Sequence, residues 1–399
     1  MRIAGIVAEY NPFHKGHADH ILRTREAGEV THVVAVMSGQ FVQRGEPAAF
    51  PKTDRVRTAL AGGADLVIEL PLPWVLTSAE GFAFGAASLL EALGCVDLLS
   101  FGSECGEIEP LLKAAAAMEE PAYIRQVRYR MEAGHPAPEA QQAALKEAAG
   151  SRIAALLEDP NNTLGIEYIK ALHRIGSGIR PFTVKRIGAG HDAAFPEAGG
   201  ASASYLRRLA AEGRWNNAAP FMPRDSFAIL TAAMAAGRAP ADPARMERAL
   251  LLKLRQTAPE QIAGFANVSE GLENRLAAGA ETAGSLAELL EQVKTKRYPL
   301  ARIRRLVWAA ALEIPGDWAK RQPPYLRVLG MNERGRQILS AARSCSLPLI
   351  TRASQTDGLT GFARQVWELE CRGADWYALT LPVPTPGGTE YTDGLVKME

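Results

Sequence analysis

Short apolar runs, many of them β-branched, alternate with helical patterns through the first half of the chain. Five such runs predict buried strands, at residues 3–8, 31–37, 64–71, 97–101 and 183–187. Between the first two runs the apolar positions recur at helical spacing. A strand, a helix and a second strand in this order predict parallel pairing with a right-handed crossover. We therefore expect an α/β fold built on a parallel sheet in residues 1–222.

A break in the pattern falls near residues 220–224, and the chain beyond it is mostly helical in character. Helical periodicity covers residues 225–236, 242–256, 268–277, 285–294, 333–343 and 361–370. Short strands are predicted at residues 324–329, 348–351 and 376–381. Residues 382–388 are rich in proline and glycine, and we expect the last dozen residues to be loosely held. This pattern predicts a second, helix-rich domain of residues 223–399.

Composition narrows the class of protein. An apolar content of 47% in 399 residues is enough for a sizeable core. The net charge of +1 means that any nucleic-acid site must be a local patch. The four cysteines show no paired metal spacing and suit a reducing cytosol. We expect no signal peptide before the first strand, and no apolar run approaches the ~20 residues that span a bilayer. We expect a cytoplasmic protein without membrane contact and predict no metal-ligating residues.

The candidate chemistry begins directly after the first predicted strand. Residues 14–17 have the sequence His-Lys-Gly-His and follow a turn marked by Asn11-Pro12. A helix pattern follows, so His14 and His17 lie three residues apart on one side of a helix start. Unpaired backbone N–H groups and the positive end of the helix dipole favour a phosphate there. Two histidines that only cap the turn are the alternative.

This string resembles the HxGH signature of the nucleotidylyltransferase superfamily. Residues 9–17 (EYNPFHKGH) and 37–48 (MSGQFVQRGEPA) narrow the resemblance to the bacterial tRNA(Met) cytidine acetate ligase family. The resemblance runs through essentially the whole chain. It implies a Rossmann-like nucleotidylyltransferase domain, activation of acetate with ATP to acetyl-adenylate, and transfer of acetyl to N4 of the wobble cytidine of elongator tRNA(Met).

The resemblance also implies residue roles. The imidazoles of His14 and His17 would be catalytic and would stabilise charge on the phosphates in the transition state. The implied ATP site comprises Ile6, Val7, Ala8, Glu9, Tyr10, Asn11, Pro12, Phe13, His14, Lys15, Gly16, His17, Ala18, Asp19, His20, Gly102, Asn162, Arg186, Ser202, Ser204 and Arg207.

Some of these residues also have a physical argument. Ser202, Ser204 and Arg207 lie in a degenerate copy of the superfamily's second signature, where hydroxyls, helix N–H groups and a guanidinium suit phosphates. Gly102 follows a predicted strand, and a glycine there lets a ligand approach the backbone. Helix capping by Ser202 and Asn162, and a simple turn at Gly102, are the alternatives.

The loop at residues 43–46 lies beyond the carboxyl end of the second predicted strand, where open α/β sheets bind ligands. It is a candidate part of the site, and an ordinary polar loop is the alternative.

The densest basic stretch lies in the helix-rich half. Six of the twelve residues 294–305 are basic and none is acidic. With Tyr298 interleaved, this favours a surface that contacts RNA phosphates or stacks bases. The predicted tRNA contacts are Lys294, Lys296, Arg297, Arg302 and Arg305. A solvated helix face is the alternative.

The expected substrates are therefore ATP, acetate and tRNA, with Mg²⁺ assisting, and the oligomeric state is open. A small-metabolite nucleotidylyltransferase is one alternative, but it would need neither the basic stretch nor the large second domain. A non-catalytic ATP- and RNA-binding protein is another, and the intact pair His14 and His17 argues against it.

Overall fold

The structure is a computed structural model that describes residues 1–186, 200–269, 271–295 and 298–398. The strands in these ranges are β1 (Ile3–Ala8), β2 (His32–Ser38), β3 (Phe41–Val42), β4 (Glu46–Pro47), β5 (Leu66–Leu70), β6 (Leu98–Ser103), β7 (Arg180–Lys185), β8 (Leu326–Met331), β9 (Leu349–Ile350) and β10 (Val396–Lys397). All five strands predicted in the first half are present, with ends that differ by a few residues. Ile187 of the fifth prediction lies outside the described residues.

The helices follow the same chain order. They are α1 (Lys15–Ala27), α2 (Lys52–Ala61), α3 (Leu72–Val75), α4 (Ala79–Leu93), α5 (Ile108–Glu119), α6 (Pro121–Glu132), α7 (Ala137–Ala149), α8 (Ser151–Ala154), α9 (Pro160–Arg174), α10 (Ala203–Ala211), α11 (Arg224–Ala235), α12 (Glu247–Arg255), α13 (Pro259–Ile262), α14 (Leu272–Thr282), α15 (Leu286–Val293), α16 (Leu300–Leu312), α17 (Glu333–Ala341), α18 (Gly361–Ala378) and α19 (Thr389–Thr392). No helix in the described ranges is both long enough and apolar enough to cross a bilayer.

The main sheet has the strand order β10-β8-β5-β2-β1-β6-β7, and β9 pairs with β8. β5 and β8 are antiparallel, whereas the other neighbouring strands are parallel. Alternate residues enter separate core clusters: Ile3 and Val34 belong to one, and Ala4 and Val33 to the other. Burial of both faces explains why these strands are apolar runs without polar alternation. The predicted α/β fold with a parallel sheet is confirmed.

The position of β1 in the sheet determines where a ligand can enter. The chain passes from β1 through β2 to β5 on one side, and β6 and β7 lie on the other side of β1. In such sheets the crevice lies beyond the carboxyl ends of the strands where the order reverses. Here that place lies beyond β1 and β6, directly at the His-Lys-Gly-His string.

The prediction of a strand at residues 376–381 is wrong, because α18 continues to Ala378. Buried residues recur along it at steps of three and four, at Val366, Glu370, Gly373 and Tyr377. Gly373 does not end the helix. A Cβ at Gly373 would lie 3.0 Å from Leu72 Cδ2, so the glycine lets α3 pack closely against α18.

The expectation of a loosely held end is also wrong. β10 pairs in parallel with β8, and Glu390 on α19 is 1% exposed. Glu390 joins a buried charge cluster of Lys52, Glu69, Arg327 and Glu390. Lys52 Nζ lies 2.7 Å from Glu69 Oε1 and 2.5 Å from Glu390 Oε1, and Arg327 Nη1 pairs with both carboxylates. The end of the chain is thus tied to α2 and β5.

The sheet and its core continue across residue 222. The largest core cluster includes Leu89 of α4 and Leu306 of α16. A smaller cluster joins α10 to α11 through Leu206 and Leu230. A division into two domains, residues 1–222 and 223–399, stays a prediction that these shared contacts do not favour.

Replacement of Glu390 tests the charge cluster. Glu390→Gln leaves Lys52 and Arg327 buried with one carboxylate fewer, and we expect it to lower the free energy of unfolding by about 3–5 kcal/mol. Urea and thermal unfolding measure the change. Glu368→Gln, which removes a partly exposed partner of Arg364, is the matched control and is expected to unfold like the wild type. Equal unfolding midpoints for both variants would contradict a structural role for the cluster.

Glu370 predicts a pH dependence of stability. Burial, together with the charge of Glu69, raises the pKa of Glu370 to about 8. The unfolded chain has a pKa of about 4.3 at this group, so between these values the folded protein holds a proton that the unfolded chain has lost. Glu370 therefore contributes a loss of stability as the pH rises through this window.

Glu370→Gln should remove this loss, because its amide oxygen can still accept the hydrogen bond that Leu72 N donates to Glu370 Oε1. Relative to the wild type, the variant should gain up to about 1.4 kcal/mol per pH unit between pH 5 and 8. Urea unfolding at several pH values measures the difference. A difference that does not change with pH would show that Glu370 is ionised in the folded protein.

Candidate functional site

A cavity of about 570 Å³ opens beyond the carboxyl ends of β1 and β6. Its walls come from β1, the start of α1, the hairpin of β3 and β4, α9 and the start of α10. Among the residues predicted to bind ATP, those that line the cavity are Ile6, Val7, Ala8, Glu9, Tyr10, Asn11, His14, Lys15, Gly16, His17, Asp19, His20, Gly102, Arg186, Ser202 and Arg207.

His14 and His17 cap α1 reciprocally. His14 Nδ1 accepts a hydrogen bond from Gly16 N at 3.1 Å, and His17 Nδ1 accepts one from His14 N at 3.2 Å. The two rings stack with their centroids 3.8 Å apart. An imidazole that accepts at Nδ1 carries its proton on Nε2 when neutral. Capping was the alternative to a chemical role for these histidines. The structure shows that the two are compatible, because capping through Nδ1 leaves each neutral ring as an Nε2–H donor at the edge of the cavity.

The start of α10 is tied to the turn before α1. Ser202 is the N-cap residue, since its Oγ accepts from Tyr205 N at 3.1 Å. Arg207 Nη1 donates to Asn11 O at 2.8 Å, and Nη2 donates to Ser204 Oγ at 3.0 Å. Ser202 and Arg207 line the cavity, whereas Ser204 lies behind Arg207. The second signature thus places a helix N-terminus and a guanidinium in the same cavity as the histidines, with the guanidinium bound to the turn before them.

Gly102 and Arg186 lie side by side at the ends of β6 and β7. A Cβ at Gly102 would lie 3.0 Å from Arg186 Cγ, so the glycine makes room for the arginine side chain. Arg186 N donates to Ser103 O at 2.9 Å, which continues the pairing of the two strands. Burial lowers the pKa of Arg186, while Glu104 opposes this shift. Gly102 is therefore a packing glycine as well as a cavity residue.

His20 is a third imidazole on the same side of α1. Its Nε2 lies 3.1 Å from Ser100 Oγ. Burial, with the positive charges of Arg186 and Arg23, lowers the pKa of His20 to about 4. His20 is therefore neutral at neutral pH, and it adds a polar group to the cavity without adding charge.

Asn162 does not cap α9. The N-cap of α9 is Asp159, so the capping alternative is wrong. Asn162 is 1% exposed, and its Oδ1 accepts from Glu104 N at 3.0 Å and from Cys105 N at 3.1 Å. It holds the loop after β6, while its neighbour Asn161 lines the cavity. A nucleotide contact by Asn162 stays a prediction.

Three other residues of the predicted ATP site lie behind the cavity lining, namely Pro12, Phe13 and Ala18. Phe13 is fully buried, and its ring packs on Gly62, where a Cβ would lie 2.1 Å from Phe13 Cζ. Pro12 and Phe13 lie in the turn before α1 and Ala18 lies in α1 itself, and none of the three lines the cavity.

The cavity also has an apolar wall that the sequence did not predict, which consists of Phe82, Phe101, Leu164, Tyr168 and Val184. Phe101 and Val184 lie near the carboxyl ends of β6 and β7, and this position is the one sequence feature that could have predicted that they line a ligand cavity. Apolar residues in strands and helices otherwise look alike whether they face a core or a cavity. The candidate loop at residues 43–46 does belong to the site, because Gln43, Arg44 and Glu46 line it.

Of the predicted tRNA contacts, the structure describes Lys294, Arg302 and Arg305, and each has partners within the chain. Lys294 is half-exposed, with Nζ 3.8 Å from Glu291 Oε1. Arg302 Nη2 donates to Ser269 Oγ at 2.7 Å, and Arg305 Nη1 donates to Gln43 O at 3.1 Å. Lys296 and Arg297 lie outside the described residues. Contact of these side chains with tRNA stays a prediction.

Tyr298 is not a stacking platform. It is 9% exposed and belongs to the large core cluster, with the guanidinium of Arg302 4.8 Å from its ring centroid. The expectation that it offers a surface to RNA bases is wrong, because its ring is already covered.

The cavity carboxylates Glu9, Asp19 and Glu46 already have partners. Glu9 Oε1 accepts from Gln43 N at 2.7 Å, Asp19 pairs with Arg23, and Glu46 pairs with Arg304. No group of three or more potential metal ligands from His, Cys, Asp and Glu occurs among the described residues. The described residues do not supply a ready ligand set for Mg²⁺.

Comparison with known proteins also indicates a nucleotidyl transferase. The family model HIGH Nucleotidyl Transferase matches residues 1–389. The tRNA(Met) cytidine acetate ligase of Acetivibrio thermocellus is 37% identical over 415 residues, with 100% of each chain covered. The protein of that name from Thermotoga maritima is 38% identical over 361 residues, which cover 87% of this chain and 86% of the relative.

Solved structures extend the similarity to the fold. Thermotoga maritima TmcAL in its apo form I matches with a TM-score of 0.94 at 33% identity, over 100% of both chains. TmcAL bound with alpha-thio ATP matches with a TM-score of 0.91, again at 33% identity over 100% of both chains. The chain therefore belongs to the HIGH nucleotidyl transferase family and, within it, to the family of the tRNA(Met) cytidine acetate ligases.

Proposed function

We propose that the chain is an ATP-dependent ligase that activates acetate as acetyl-adenylate and transfers the acetyl group to N4 of the wobble cytidine of elongator tRNA(Met). Similarity over the full length to ligases of this name supports the substrates. The observation that carries the chemistry is the pair of Nε2–H donors that His14 and His17 present at the positive end of α1. The proposal includes a cytoplasmic location, because tRNA is the acceptor.

In the first step, an acetate oxygen attacks the α-phosphorus of ATP, and the bond between this phosphorus and the pyrophosphate oxygen breaks. Negative charge increases on the phosphate oxygens as the leaving group departs. Donors already oriented toward that position stabilise the charge without reorganising. His14 and His17 suit this role. The N-terminus of α10 with Ser202 and Arg207 suits the β- and γ-phosphates.

In the second step, the cytidine N4 attacks the acetyl carbonyl carbon of acetyl-adenylate. The carbon–oxygen bond to AMP breaks, and N4 loses a proton. An exocyclic amine is a weak nucleophile, and a mixed anhydride with a phosphate leaving group compensates for this. A wobble base is unpaired in the free tRNA, so it can reach a cavity without opening a helix.

Mg²⁺ assists nucleotide chemistry in many enzymes by binding phosphates and only one or two carboxylates. The cavity carboxylates Glu9, Asp19 and Glu46 all have partners within the chain, so no protein ligand is assigned to Mg²⁺.

Acetate-dependent exchange of labelled pyrophosphate into ATP tests the first step directly. We expect exchange with acetate and none without it. Labelled acetate should then pass to tRNA(Met) and appear as N4-acetylcytidine after digestion. Exchange that requires a different carboxylate, or an alcohol, would point to a metabolite nucleotidylyltransferase. ATP binding without any exchange would point to a non-catalytic protein.

Substitutions that retain the cap of α1 distinguish an effect on catalysis from an effect on folding. His17→Gln retains a side-chain acceptor at the third helical position, and His14→Asn retains an N-cap acceptor, so α1 should still form. Each variant should lower the rate of acetate-dependent exchange by about 10²–10³, the usual effect of losing one preorganised donor. Thermal unfolding should stay close to that of the wild type. Arg334→Gln, on the exposed face of α17, is the activity control. Unchanged exchange in His17→Gln would leave His17 with a capping role alone.

A further inference from the structure

The first turns of α16 lie directly against one wall of the cavity. This wall is the hairpin of β3 and β4, here called the wall hairpin (residues 41–47). Gly45 at its tip has φ +77°, and a Cβ there would lie 2.5 Å from Arg305 N. Glycine alone fits both the left-handed backbone and this approach. Next to it, Arg304 forms an ion pair with Glu46. The helix-rich half of the chain therefore reaches the site through α16.

Arg305 links three segments of the chain. Its Nη1 donates to Gln43 O at 3.1 Å, and its Nε donates to Asn267 Oδ1 at 3.3 Å. Asn267 Nδ2 in turn donates to Leu76 O at 2.9 Å, just before α4. Burial, with the charge of Arg302, lowers the pKa of Arg305 to about 10. The Arg305 guanidinium is thus committed to holding the wall hairpin, and little of it faces solvent.

The inner side of the wall hairpin faces the cavity. Gln43 N donates to Glu9 Oε1 at 2.7 Å, and Glu9 follows β1 immediately before the turn to His14. Gln43, Arg44 and Glu46 line the cavity. A shift of Gln43 would therefore move both Arg44 and Glu9 relative to a bound nucleotide.

We propose that Arg305 is a positioning residue for the ATP site, which acts through the backbone of Gln43 and does not contact RNA. This rests on the proposed function only for the identity of the reaction. The ligand positioned is a nucleoside triphosphate bound between the wall hairpin and α1. Arginine is required because its planar fork donates in two directions at once, which a lysine ammonium on a flexible stem does not reproduce.

Arg305→Lys keeps the positive charge and loses the fork. We expect the KM for ATP in acetate-dependent exchange to rise about tenfold, with kcat within about threefold, because the wall hairpin contacts the substrate in the ground and transition states alike. A variant that is only less stable would show a lower kcat at an unchanged KM, since less of it is folded.

The matched control is Arg255→Lys on α12. Arg255 makes a comparable fork, with Nε 2.8 Å from Ala280 O and Nη2 2.9 Å from Ala283 O. Both variants should lose similar stability, but only Arg305→Lys should raise the KM. Hydrogen exchange should also increase at the amides of residues 43–46 in Arg305→Lys and not in Arg255→Lys.

Two outcomes would overturn the proposal. One is a KM and an amide exchange pattern for Arg305→Lys that match those of Arg255→Lys. The other is an unchanged KM with weaker tRNA binding and a smaller salt dependence, which would make Arg305 a phosphate contact. If the wild type shows no acetate-dependent exchange, the proposed function fails. Calorimetric ATP binding and amide exchange of the same variants then still decide the role of Arg305.

Discussion

The arrangement of the site depends on the reciprocal capping of α1 by His14 and His17. His14 Nδ1 accepts from Gly16 N in the first helical turn, and His17 Nδ1 accepts from His14 N at the N-cap, so each neutral ring is held in place with its proton on Nε2. A helix start capped by aspartate would place a negative charge there and repel phosphates. Capping with imidazoles satisfies the backbone and leaves donors at the positive end of the helix. In both side chains Nδ1 caps the helix, while Nε2–H is the donor proposed for the phosphates.

Long-range polar contacts bring the helix-rich half of the chain onto this site. The buried charge cluster joins α2 and β5 to β8 and α19, and Arg305 joins α16 to the wall hairpin. The pairs Lys52–Glu390, Glu69–Arg327 and Gln43–Arg305 join residues that are 338, 258 and 262 positions apart in the sequence. The family similarity likewise extends over the whole chain and is not confined to the strands around β1. The site is therefore assembled by both halves, which fits an enzyme that must accept a macromolecule beside a nucleotide.

Much of the fold was predictable, and particular elements show why the rest was not. β1, β2 and β5 are buried on both faces, so their apolar runs were visible without knowing their partners. The end of α18 was missed, since the helix continues through Gly373, which packs closely against Leu72. Asn162 resembled a helix cap, but its partners lie in the loop after β6. Tyr298 resembled a stacking residue, but the core covers it.

The sequence alone determined the parallel α/β architecture, the phosphate-suited turn at His14 and His17, and the family, because these depend on local periodicity and on strings of neighbouring residues. Only the tertiary structure decided which apolar residues line the cavity, that Glu390 is a buried ion-pair partner, and that Arg305 faces the wall hairpin. The physical reason is that burial and hydrogen-bond partners are set by segments distant in sequence. A charged residue has the same sequence pattern whether it meets solvent, RNA or a backbone carbonyl.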